Sequence, residues 1–206
     1  MSPDLVPAAH PVDWSQGVWL NPPVSAEPTP EGGLRVQPGK GGDFWRQTSY
    51  GFVHDNGEAL LAPLPVGQAV EVDFRMDFTG QFDQAGVLVR VDERNWVKTG
   101  VEFCDGLPQV GAVVTREMSD WSTAPVPGWT GRLVSVRVSR AGDALTVRAR
   151  VDGEPWHLVR LAPLAPEATA LAGPFCCAPT RDGLTVHFTA WRQGPADHDL
   201  HPPTEV

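Results

Sequence analysis

The chain has 206 residues and a formal net charge of −9, with 21 Gly, 21 Pro and 20% charged residues. That length suits one large domain, residues 1–206, and the Gly and Pro content favours many turns and short strands over long helices. The acidic balance, with Lys40 and Lys98 as the only lysines and the arginines scattered, leaves no basic stripe to track phosphates, so neither nucleic acid nor an anionic membrane is expected as a partner.

In chain order, residues 1–6 carry neither a basic segment nor an apolar core, so no secretory signal is expected. No window approaches the ~20 apolar residues of a membrane span. Residues 1–12 read as an irregular tail. The first ~30 residues as a whole are Pro-rich and hold Trp14 and Trp19, and two indoles are worth burying, so the segment is expected to wrap the domain. Residues 43–52 mix Phe44, Arg46, Thr48 and Tyr50 with Trp45, Gln47 and Ser49. Neither set is cleanly apolar, as in a strand that lines a cleft, although a core edge with a snorkelling Arg reads equally well.

Alternation is clearest from residue 70 onward. Val70, Val72, Phe74, Met76 and Phe78 alternate with Glu71, Asp73, Arg75 and Asp77, the pattern of a half-buried antiparallel strand. Over residues 84–91, Ala85, Val87, Val89 and Val91 take one face, and Gln84, Gly86, Leu88 and Arg90 the other. Residues 96–103 repeat this with Val97, Thr99, Val101 and Phe103 against Trp96, Lys98, Gly100 and Glu102. The short turn at 92–95 predicts that these two strands pair. Residues 118–130 read as a long loop. Residues 132–139 and 144–151 form a hairpin about Gly142, Asp152-Gly153 marks another, and a last strand runs over 184–191 with Leu184, Val186 and Phe188 inward. Residues 195–206 read as a frayed polar tail. Roughly a dozen strands with regular turn signals predict an all-β, two-sheet antiparallel sandwich of jelly-roll type.

Candidate chemistry sits in three clusters. Gln84, Arg90, Trp96, Lys98 and Glu102 share polar faces, with Asp83 at the entrance of the first strand. Lys98 and Glu102 lie about 13 Å apart at the usual rise, so each is expected to meet a neighbour from an adjacent strand. The bland alternative is a solvated outer face, in which Gly86 and Gly100 mark curvature and not ligand space. Residues 43–52 are the second cluster. Ser119-Asp120-Trp121-Ser122 is the third, where an indole face beside a carboxylate suits a sugar, or else Trp121 plugs a turn.

Catalytic signatures are missing. There is no Gly-x-Ser-x-Gly elbow, and Gly39-Lys40-Gly41-Gly42 lacks the spacing of a phosphate loop. Asp83 and Glu102 are the candidate acid/base pair if the domain hydrolyses glycosides. No metal or cofactor is expected: Asp55-Asn56-Gly57, Asp105-Gly106 and Asp182-Gly183 are turn signals, and His54, His157 and His187 are isolated. Three cysteines, of which Cys176 and Cys177 are adjacent, suit a reduced, cytoplasmic protein.

Several stretches in order resemble a known family. They are residues 19–23, 43–52, 82–87, 96–102, 119–122 and 173–175, including Asp43-Phe44-Trp45-Arg46-Gln47-Thr48 and Trp96-Val97-Lys98-Thr99-Gly100-Val101-Glu102. The chain resembles, from about Trp14 to Trp191, the domain-of-unknown-function family that includes the fungal regulation-of-enolase protein. The resemblance implies a concanavalin A-like fold, shared by lectins and glucanases, and no established activity. Trp45, Arg46, Tyr50, Asp83, Gln84, Lys98, Glu102, Asp120 and Trp121 match its motif and are expected to line the concave face of one sheet.

The expected function is a non-catalytic binding domain for a small sugar- or polyol-like ligand. The rivals are an enzyme on sugars or sugar phosphates, with Arg46 and Lys98 holding an anionic group, and a protein-interaction or regulatory module of metabolism. An exposed edge strand would also allow a homodimer.

Overall fold

The alternating stretches fold into strands because each offers one apolar face to bury and one polar face to leave out. The computed structural model describes residues 6–76 and 78–201. In chain order the strands are β1 (His10–Pro11), β2 (Val18–Leu20), β3 (Ser25–Pro28), β4 (Leu34–Gln37), β5 (Phe44–Arg46), β6 (Val53–Asp55), β7 (Glu58–Pro63), β8 (Gln68–Met76), β9 (Gln84–Arg90), β10 (Asn95–Cys104), β11 (Leu107–Arg116), β12 (Met118–Pro125), β13 (Val134–Ala141), β14 (Ala144–Val151), β15 (His157–Pro163), β16 (Leu171–Cys177) and β17 (Val186–Pro195). Asp77, read as part of the β8 alternation, lies outside the described residues, as do 202–206 of the tail.

Two antiparallel sheets pack face to face. One runs β15-β14-β13-β8-β17-β4-β3, with β1 added to β17; the other runs β12-β11-β10-β9-β16-β7-β2. A core of Val70, Val72 and Phe74 from one sheet and Ala85, Val87 and Val89 from the other fills the space between them. Leu184, Val186 and Phe188 join it as expected. Trp14 and Trp19 pack on its margin, and Trp14 lies 6.1 Å from the buried Trp191, so the Pro-rich segment does wrap the sandwich. No helix among the described residues is long and apolar enough to cross a membrane.

Three readings need correction. Residues 118–125 are not a loop but an edge strand, in register with β11 from Arg116↔Met118 to Gln109↔Pro125. Glu117 at φ 63 makes the tight reversal. Only one side of β12 is paired, so its Ser, Asp and Pro residues cost it little. The outer face of β8 is not solvated either: Glu71 and Asp73 are buried and both bind Arg192. Finally, the described parts of both terminal segments are tied down. His10 and Pro11 pair with β17, and Asp197 accepts from Arg137 and Arg148.

The expected hairpin of β9 and β10 forms, with Gly100 opposite Gly86 on one side and Gly111 on the other. A Cβ on Gly86 would stand 2.0 Å from the Thr99 carbonyl oxygen, and one on Gly111 2.3 Å from that of Ser122. The glycine row therefore serves close backbone approach and bending of the sheet, not side-chain space for a ligand.

Candidate functional site

The outer face of β9 and β10 presents Gln84, Lys98 and Glu102, as period-two spacing requires. It is not open to bulk water, because residues 39–57 fold across it. Phe44 is fully buried there, 6.0 Å from Trp96 and 6.4 Å from Phe175, and these rings form a second, smaller core on the outside of the sheet. Trp96 is thus a packing residue.

The strand expected over 43–52 exists only as β5. After Arg46 the chain turns through Gln47 at φ 61, Ser49 at φ 65 and Gly51 at φ 74. The Trp45 indole donates to the Thr48 carbonyl at 3.0 Å and ties the turn to its own strand. Tyr50 and Phe52 are carried outward on this turn and stack at 5.3 Å, with 11° between planes. Trp45 meets Tyr50 at 5.4 Å and Trp121 of β12 edge-on at 6.3 Å. A chain of rings therefore stands over the polar floor, and between them lies a pocket of about 290 Å³.

Six of the nine expected site residues line that pocket: Trp45, Tyr50, Gln84, Lys98, Glu102 and Trp121. Three do not. Asp83 is completely buried, its Oδ2 accepting from Gly80 N at 2.9 Å and Arg181 Nη2 at 2.6 Å. Arg46 donates to the Glu117 carbonyl at 2.9 Å and staples the turn to β12. Asp120 is exposed and pairs with Arg160 at 3.0 Å. The missed residue of most consequence is Asp43. Its Oδ1 accepts from Lys98 Nζ at 2.6 Å, Phe44 N at 2.7 Å and Gln84 Nε2 at 3.3 Å. Phe52, His54 and Phe82 also line the pocket, although none was expected as a site residue.

Burial works against a charge on Lys98, but Asp43 beside it, and then Glu102, outweigh that and hold its ammonium above its ordinary value. Glu102 differs. No hydrogen-bond or ion-pair partner holds its carboxyl among the described residues. Burial first, then Asp43 and Asp105, push it up to about 7, against the pull of Lys98. A carboxyl with its pKa raised in the folded state contributes stability that is full below about 4.5 and is lost as pH rises through about 7. Wild type should therefore lose of order 2 kcal/mol relative to Glu102→Gln between pH 4.5 and 8. Urea midpoints across that range check this; parallel curves would mean that Glu102 is solvated. No group of three or more metal-ligating side chains occurs among the described residues.

A model of the family described as "Protein of unknown function (DUF1349)" matches residues 19–196. The chain belongs to that family. It is 38% identical over 190 residues to "Regulation of enolase protein 1" of Saccharomyces cerevisiae, covering 90% of this chain and 95% of that protein. A crystal structure of a functionally unknown protein from Saccharomyces cerevisiae superposes with a TM-score of 0.83 at 36% identity, over 89% of this chain and 98% of that one. Lectin I-B4 from Griffonia simplicifolia superposes at 0.56 with 12% identity, over 87% of this chain and 93% of the lectin, a likeness of fold alone.

Proposed function

We propose that this protein is a non-catalytic binding domain, one concanavalin A-like jelly-roll, that takes a small sugar- or polyol-like ligand in the pocket under Trp45 and Trp121. The observation that carries this reading is the pairing of an aromatic wall with a floor of Lys98, Gln84 and Glu102 in a pocket of about 290 Å³. Indole and phenol rings suit the C–H faces of a pyranose, and the floor supplies directional donors and acceptors for hydroxyls. The free, buried thiols of Cys104, Cys176 and Cys177 support a reducing compartment such as the cytoplasm. The acidic charge supports a small molecule over nucleic acid as the partner.

A second reading, an enzyme on sugars, has one observation in its favour: the raised Glu102 carboxyl suits a general acid or base near neutral pH. Against it, glycoside hydrolysis needs two available carboxyl groups. Asp83 is sealed and Asp43 is bound to Lys98, so neither completes the pair.

Thermal shifts with mono- and oligosaccharides, polyols and sugar phosphates test the reading. A ligand at 100 times its Kd adds roughly 2.7 kcal/mol, and Trp121→Ala should abolish the shift. A silent panel on a well-folded protein would sink the proposal. Turnover of a panel member, lost in Glu102→Gln, would replace it with the enzyme reading.

A further inference from the structure

The pocket's charges do not balance. Lys98 is the one Lys or Arg among the pocket-lining residues, and its ammonium is already spent on Asp43 at 2.6 Å. Glu102 is left over. Its cross-strand neighbours on β9 and β11, Gln84 and Gln109, are neutral. The charged or titratable groups around it are Lys98 and Cys104 on its own strand, Asp43 from the covering segment, Asp105 beyond the end of β10, and Tyr50 and His54 on the pocket wall. Two of these are carboxylates that oppose the pull of Lys98, and none of the groups gives the Glu102 carboxyl a hydrogen bond or ion pair among the described residues.

The opposite wall has the complementary property. Aromatic faces carry negative potential from the ring quadrupole and attract cations within about 6 Å. Trp45, Tyr50, Phe52 and Trp121 are gathered here. Among the described residues the protein's own cation–π contact lies elsewhere, with Arg150 over Trp156 at 4.1 Å. A phosphate would meet Glu102 as a like charge, with the only counter-charge taken. A neutral polyol would leave the carboxylate uncompensated. A positively charged nitrogen satisfies both walls at once.

We propose that the ligand of this pocket carries a cationic nitrogen, as an amino sugar or a small alkylammonium compound does, held between the Glu102 carboxylate and the aromatic wall. This rests on the reading of the pocket as a binding site and names its ligand class. The entering cation stabilises the ionised form of Glu102. Since burial pushes that carboxyl up to about 7, binding below pH 7 is accompanied by loss of its proton, and affinity rises with pH.

Isothermal titration with glucosamine, N-acetylglucosamine, glucose and choline separates the possibilities. Choline keeps its charge at every pH, so any pH dependence of its binding belongs to the protein. At pH 7.5, glucosamine, choline or both should bind about tenfold or more tighter than glucose and N-acetylglucosamine. Preference between the two cations tells an amino sugar from an alkylammonium. The affinity of the preferred cation, followed with choline where it binds, should rise several-fold from pH 5.5 to 7.5 in wild type. That rise should vanish in Glu102→Gln. Tyr50→Ala, at an exposed ring, should weaken binding and keep the pH dependence. Glucose or N-acetylglucosamine binding as tightly as the preferred cation, or a Glu102→Gln protein that binds cations like wild type, overturns the cationic ligand and leaves a sugar pocket standing. Binding of none of the four, with a silent sugar panel, overturns both.

Discussion

Asp43→Ala should lower the unfolding free energy by about 3–5 kcal/mol, the usual cost of stranding one member of a buried ion pair. Lys98 is 4% exposed and donates to Asp43 at 2.6 Å, and no other ion-pair partner is within reach among the described residues. The same carboxylate oxygen also accepts from the Phe44 amide and the Gln84 side chain, so its loss loosens the segment that covers the outer face of the sheet. Lys98→Met should cost less. The Asp43 side chain is 17% exposed and keeps its other two donors, while methionine fills the stem's volume with no charge to desolvate. Adding Lys98→Met to Asp43→Ala should then recover part of the loss, a coupling that urea denaturation of the four proteins at pH 7 measures directly. An Asp43→Ala cost below about 1 kcal/mol would mean that the pair is solvated in practice.

How much of this was legible in the sequence depends on what each strand buries. β8, β9 and β10 each have an apolar face against the core and a polar face away from it, so alternation exposed them. β12 hides because it is a sheet edge: Met118-Ser119-Asp120-Trp121-Ser122 has no apolar stripe, and its order comes from ladder bonds to β11. The turn after Arg46 hides for a different reason. Gln47 and Ser49 adopt left-handed backbone that glycine usually marks, and neither residue type announces it.

For the pocket, the three expected residues that fall outside it share one cause. Each is the chain neighbour of one that lines it: Asp83 beside Gln84, Arg46 beside Trp45, Asp120 beside Trp121. Neighbours on a strand point to opposite faces. Asp83 has the parity of Ala85 and Val87, so the rule that placed Gln84 on the pocket face sends Asp83 inward, where Arg181 and backbone amides hold it. Asp43 obeys the same rule in the other direction, since it shares parity with Trp45. What no periodicity could supply is the meeting of Asp43 with Lys98 across 55 positions of chain, which depends on how residues 39–57 fold back over the sheet.

The second large effect concerns the C-terminal segment. Asp197→Ala should cost roughly 3–5 kcal/mol, because it would strand two buried cations at once. Asp197 Oδ1 accepts from Arg137 Nε and Oδ2 from Arg148 Nε, each at 2.8 Å, and the Arg137 side chain is fully buried. Arg137 keeps Glu71 at 3.6 Å, but Glu71 is already shared with Arg192, and Arg148 has no other carboxylate within reach among the described residues. The polar, Pro-flanked sequence here looks like a tail because its anchoring is electrostatic and leaves no apolar signature. Asp197→Asn separates charge from shape: the two arginines use different carboxylate oxygens, and an amide replaces one of these with an NH2 donor, so it should restore less than half of the loss. Deleting residues from 195 onward should match or exceed Asp197→Ala, since the carbonyls of Pro195 and Leu200 accept from the same two arginines. Equal stability of the wild type, Asp197→Ala and the truncated chain in urea would show the segment to be frayed after all, with both guanidiniums reaching water when the clamp is gone.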